Sequence, residues 1–114
     1  MLTTAEHNAN VAAAMSEDAL QTQVLRIAAV LGWRAYHTHD SRRSQKGFPD
    51  LTLVHRASGR LVFRELKSAK GRLRPEQRDW LDDLRAAGVD AGVWRPADLV
   101  GGVIERELRG GGGP

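Results

Sequence analysis

The chain has 114 residues, 41% of them hydrophobic, no cysteine and a formal net charge of +3. That length fits one domain burying roughly two-thirds of its unfolded surface, and the lack of cysteine excludes disulfides and thiolate metal sites. No apolar run reaches the ~18 residues of a membrane helix and no basic region precedes an apolar stretch at the N-terminus, so a soluble, cytoplasmic protein without a membrane role is expected.

Residues 1–15 are polar and alanine-rich without clear periodicity, and read as a flexible arm before a domain spanning 16–108. Ser16 is placed to cap a helix, with Glu17 and Asp18 in its first turn. Leu20, Val24, Ile27, Ala28 and Leu31 recur at spacings of three and four, one apolar stripe, and Gly32 ends it. Trp33–Thr38 reads as a short strand and His39–Phe48 as a polar loop. Asp50–Val54 and Arg60–Lys67 are two further strands joined as a hairpin. A basic loop over Lys70–Arg74 leads to Pro75, a residue suited to the first position of a helix. Trp80, Leu81, Leu84 and Ala87 form the inner stripe of that helix, which Gly88 closes. Val89–Trp94 is a fourth strand. A last helix begins near Pro96, with Leu99, Val100, Val103, Ile104 and Leu108 available for packing, and 109–114 is a disordered glycine-rich tail. The order α-β-β-β-α-β-α predicts an α/β fold, a small mixed sheet flanked by helices.

The charge is unevenly spread. Between His37 and Arg78 there are 11 Lys/Arg against 4 Asp/Glu, while the rest of the chain is acidic, with 6 against 10. The basic residues gather in two loops, Arg42, Arg43 and Lys46 before one strand and Lys70, Arg72 and Arg74 after the next. Such a concentration attracts polyanions. Because both loops abut the strand ends discussed next, a clamp on nucleic-acid backbone phosphates is favoured over a merely solvated surface.

Ionisable residues stand where strand alone is expected: Pro49-Asp50 at the head of one strand and Glu65-Leu66-Lys67 at the end of the next. Glu65 and Lys67 share a sheet face because side chains two apart on a strand point the same way. The hairpin decides whether Asp50 joins them. A two-residue turn at Ser58-Gly59 sets Asp50 opposite Lys67; a four-residue loop over Arg56–Gly59 sets it opposite Glu65; a three-residue loop without a bulge sends it to the other face. Ser-Gly favours the tight turn. Two converging carboxylates make a hard, oxygen-rich corner suited to Mg²⁺, and an adjacent lysine offsets charge on a phosphorane-like centre. The competing reading is that Glu65 and Lys67 are exposed edge residues and Pro49-Asp50 an ordinary turn.

These residues resemble the PD-(D/E)XK nuclease signature. With GFPDL (47–51), ELK (65–67), GRLRPEQRDWLDDLRAAG (71–88) and VWRP (93–96), the chain from about Ser16 to Leu99 resembles the VRR-NUC family, specifically its compact stand-alone phage and bacterial members. The resemblance implies a restriction-endonuclease-like core, Mg²⁺ dependence with Mn²⁺ able to substitute, and cleavage of DNA, often branched or flapped, in replication, recombination or repair. It further implies Asp50, Glu65 and the Leu66 carbonyl as metal ligands, Lys67 as the catalytic lysine and Gln77 beside the site. Glu17 or Gln21, on one helix face, would assist the metal; both also read as ordinary helix-start and surface residues.

His37 and His39 form an H-x-H pair followed by Asp40, but spacing fixes no third ligand and a transition-metal site needs three; contact with DNA or with the neighbours of the site is the better expectation. Trp33, Trp80 and Trp94 each fall on a predicted strand or helix stripe and are expected in the core. The expected protein is thus a Mg²⁺-dependent DNA endonuclease, with a homodimer as the means for so small a domain to engage two strands. The alternative is a catalytically idle nucleic-acid-binding module using the same basic loops.

Overall fold

In the computed structural model, which describes residues 1–39 and 44–110, a four-stranded mixed sheet runs in the order β1 (Arg34–His37), β2 (Leu51–His55), β3 (Arg60–Leu66) and β4 (Asp90–Trp94). Strand β2 runs antiparallel to both of its neighbours, β1 and β3, and β4 lies parallel to β3. Parallel neighbours require a crossover, which helix α3 (Pro75–Ala86) supplies. The expected α/β class and mixed sheet are what the chain forms.

The core lies on one face of the sheet. Leu20, Val24 and Ala28 of α2 (Glu17–Val30) meet Leu51 and Leu53 of β2, Val62 and Leu66 of β3 and Trp94 of β4, with Ile104 and Leu108 closing the cluster. Trp33 and Trp94 are buried as expected. Their indole N–H groups find acceptors, Trp33 Nε1 donating to the Leu108 carbonyl (3.0 Å) and Trp94 Nε1 to Glu107 Oε1 (3.2 Å), so neither ring leaves an unpaired donor in the core. On α3, only Leu81 is fully buried. Trp80 and Leu84 are half-buried, and Ala87, expected on the inner stripe, is exposed.

Among the described residues there are two more helices than expected. The stretch read as an arm is helical over Thr4–Ala14 (α1), because Thr3 and Glu6 form a reciprocal cap: Glu6 N donates to Thr3 Oγ1 (3.0 Å) and Thr3 N to Glu6 Oε1 (3.3 Å). Alanine supplies helix propensity without a stripe, and Ala12 is buried where α1 lies against α4. The single last helix is two: Gly101-Gly102 separates α4 (Pro96–Val100) from α5 (Val103–Leu108), with Gly102 at φ +78°, a conformation glycine adopts freely.

The hairpin register also departs from the expected one. Leu51 faces Arg64 and His55 faces Arg60, so the loop is four residues, Arg56–Gly59, closed by Gly59 N donating to the Arg56 carbonyl (3.2 Å). Serine at position 58 is drawn instead into a bond between its hydroxyl and His55 Nδ1 (2.7 Å), and Gly59 takes φ +70° as the last loop residue. Extended by one residue, this register sets Asp50 opposite Glu65 rather than Lys67.

One buried charge was not foreseen. Arg64 points into the core side of the sheet, 6% exposed, between Asp90 Oδ1 (2.8 Å) and Glu107 Oε1 (3.0 Å). Its guanidinium also lies 4.9 Å over the Trp94 ring. Arg64→Ala leaves those carboxylates without their cation, and we expect it to cost about 3 kcal/mol, read as a lower urea midpoint at unchanged slope.

Candidate active site

Asp50 stands at the entry to β2 because Pro49, fully buried, anchors the turn before it and because Thr38 N donates to the Asp50 carbonyl (3.0 Å), prolonging the β1–β2 ladder by one step. The Leu66 amide donates to Asp50 Oδ2 (2.8 Å), which fixes the carboxylate across the strand ends. Strand alternation then aims Val62, Arg64 and Leu66 at the core and sends Phe63, Glu65 and Lys67 to the opposite face, beside Asp50. The three groups therefore converge. The convergence holds under the observed register as it would under the tighter one.

Glu65 is 2% exposed and Lys67 6% exposed, so the edge-residue reading of this pair does not hold. Burial, the hydrogen bond shared with Asp50 and the Asp50 charge push the Glu65 carboxyl up to about 9; Lys67 pulls it down and Glu17 adds to the rise. Glu65 Oε2 is buried, and no donor among the described residues reaches it. A proton shared with Asp50 relieves such a pair at neutral pH. So does a small cation. The two carboxylates border one cleft together and offer oxygen alone, the chemistry that hard dications select, and these residues fit Mg²⁺.

Two adjoining clefts meet at Asp50. One, about 380 Å³, is bordered by Glu17, Gln21, His37, His39, Asp50 and Leu66. The other, about 450 Å³, is bordered by Asp50, Glu65, Lys67, Lys46, Arg74 and Gln77, with Glu17, His39 and Glu76 also on its walls. Glu17 and Gln21 are thus both at the site, with Glu17 on both clefts. The rings of His37 and His39 lie 4.1 Å apart between centroids, but no three His, Asp or Glu side chains among the described residues form a ready metal cluster. The H-x-H pair therefore has no third side-chain ligand there.

Of the expected phosphate clamp, Lys46 and Arg74 line the cleft, whereas Lys70 and Arg72 are exposed on the loop after β3 and do not border it. Arg42, Arg43 and Asp40 fall outside the described residues, as does 111–114 of the expected tail. Gln77 has a second task, its Oε1 accepting from Arg74 N (2.9 Å) at the start of α3. Lys46 is held by its neighbour: Gly47 has φ +93°, and a Cβ there would stand 2.5 Å from the Glu76 backbone, so only glycine lets this segment press onto the first turn of α3.

Sequence reasoning gave Arg95 no role. Its Nη1 donates to the carbonyls of Ser68 and Gly71, both at 2.7 Å, and pins the basic loop. The signal available was its place in VWRP, next to a strand end on the same side as Lys67. Lys67 N donates to the Trp94 carbonyl (3.1 Å), which ties the end of β3 to that same strand end.

Comparison with known proteins places the chain among related folds. The family model of the VRR-NUC domain matches residues 3–98, a span that begins at the N-cap of α1 and takes in every element of the site. A solved structure described as a VRR_NUC domain superposes with a TM-score of 0.58 at 23% identity, covering 80% of this chain and 97% of that one. No curated protein matches the chain.

Proposed function

Because the chain belongs to the VRR-NUC family of nuclease domains, we propose that it is a Mg²⁺-dependent DNA endonuclease selecting branched or flapped substrates of the kind that replication and repair generate. The observation that carries this reading is the buried Glu65 carboxyl, whose Oε2 has no hydrogen-bond partner among the described residues, facing Asp50 and Lys67 in one cleft.

Asp50 and Glu65 hold the cation, with the Leu66 carbonyl as backbone ligand. When bound, the dication polarises the scissile phosphate and lowers the pKa of water at the site. Asp50 keeps its orientation through the Leu66 amide. Lys67, held in a dry setting, offsets the charge that builds on the phosphoryl oxygens as water adds and the P–O bond breaks. Lys46 and Arg74 hold flanking phosphates, and Arg95 holds the loop that carries Arg74 toward them. Gln77 borders the reacting group while capping α3.

Two measurements test this reading short of catalysis. Titration of Mn²⁺ into the protein gives a saturable heat that Asp50→Ala removes; no heat in the parent protein refutes the cation site. Lys46→Ala combined with Arg74→Ala weakens DNA binding and lowers the salt slope by about two, one unit per phosphate contact. An unchanged slope removes both residues from the interface. An idle binding module would bind DNA with the same salt slope and cut nothing.

A further inference from the structure

The face that carries Asp50 and Glu65 continues along the sheet into an aromatic cavity. Tyr36, Thr52 and Phe63 lie side by side across β1, β2 and β3. They form the row next to Thr38, Asp50 and Glu65, two residues or about 7 Å further along the strands. Phe48 packs edge-on against Phe63 (5.8 Å between centroids) and against Trp80 (5.0 Å). With Tyr36 and Trp80 it bounds a cavity of about 330 Å³ whose remaining wall carries the polar side chains of Thr38, Ser44 and Gln45.

This cavity opens into the cleft over the carboxylates: Thr38, Gly47 and Phe48 line both. Tyr36 is 65% exposed on the edge strand, so the core makes little use of its ring. Trp80, on the helix stripe where full burial is expected, is only half-buried. Lys46, between Gln45 and Gly47 on the cavity wall, lines the acidic cleft. Aromatic walls, a polar rim and a cation toward the carboxylates match one nucleotide, base inward and phosphate outward.

We propose that this cavity is a nucleobase subsite, in which the base next to the scissile phosphate stacks on Tyr36 and Trp80 while Thr38, Ser44 and Gln45 meet its edge. The proposal rests on the reading of Asp50 and Glu65 as the place where the phosphate is held. It names the substrate class: DNA with an unpaired nucleotide at the cut. A base inside a duplex must leave its stack to enter, at a cost of a few kcal/mol, whereas an unpaired one enters freely. Stacking on two aromatic rings tolerates any base, so the subsite reads strandedness and not sequence.

The test uses flap DNA carrying 2-aminopurine at successive positions across the junction, bound to the full chain without metal. Expected is a change in 2-aminopurine fluorescence at one position, kept by Tyr36→Phe and lost in Tyr36→Ala; because Tyr36 is exposed, neither substitution touches the core. With Mg²⁺, an abasic nucleotide at that position lowers kcat/KM by about five- to a hundredfold in the parent protein and no further in Tyr36→Ala. Equal fluorescence in the parent protein and Tyr36→Ala at every position overturns the proposal, as do additive losses in the abasic comparison. Loss of signal accompanied by altered sedimentation of Tyr36→Ala overturns it in favour of a contact between copies of the chain. A Tyr36-dependent signal in a protein that never cuts refutes the nuclease reading and leaves the subsite standing; cutting without that signal does the reverse.

Discussion

Glu65→Gln abolishes cutting, to below about one-thousandth of the parent rate, while DNA affinity stays within a few-fold. The substitution keeps the shape of a side chain that is 2% exposed and removes the charge that holds the cation. Losing several kcal/mol of transition-state stabilisation corresponds to three or more decades in rate. Affinity is spared because phosphate contacts come from Lys46 and Arg74 on the cleft wall, not from the carboxylates. Single-turnover cleavage and salt-matched binding on one flap substrate separate the two effects, and a Glu65→Gln protein that cuts at the parent rate overturns the site assignment.

The same substitution stabilises the metal-free protein, and increasingly so as pH rises. The folded chain holds the Glu65 proton up to about 9, against 4.5 for an ordinary glutamate. Between those values the native state binds more protons than the unfolded one. Stability from this group is therefore fully present below about pH 4.5 and lost as pH climbs toward 9, with a limiting slope of about 1.4 kcal/mol per pH unit. Glutamine at 65 has no proton to lose, and its stability curve lacks that slope. Urea melts of both proteins in chelator at pH 5, 7 and 9 read the difference: the gap widens with pH, and a constant gap contradicts the buried, protonated state. A catalytic group that costs stability when unoccupied is a familiar bargain in active sites.

How much of this was legible in the chain depends on which physical rule governed each part. The α2 stripe and the burial of Trp33 and Trp94 followed from apolar periodicity and came out as read. So did the meeting of Asp50, Glu65 and Lys67, because two of the three hairpin geometries deliver it and the alternation of strand side chains does the rest. The register itself was not legible. Ser58-Gly59 favours a two-residue turn locally, but His55 competes for the Ser58 hydroxyl and bonds the Leu31 carbonyl with its other nitrogen (3.2 Å), a contact between distant parts of the chain. Helix α1 was missed because its signal is a cap and alanine propensity rather than a stripe. Arg64, at an alternating strand position between Phe63 and Glu65, gives no sign that Asp90 and Glu107 will close on it from 26 and 43 residues away. Arg95 is invisible for the same reason, since its partners are backbone carbonyls.

The most direct measurement is cleavage of linear, flapped, splayed and four-way DNA in Mg²⁺ and in Mn²⁺ by the parent protein and by Asp50→Ala. The account predicts metal-dependent cutting of at least one branched substrate by the parent protein, abolished by chelator and absent in Asp50→Ala. Survival of every substrate under both metals while DNA binding persists, or equal cutting by Asp50→Ala, would contradict it.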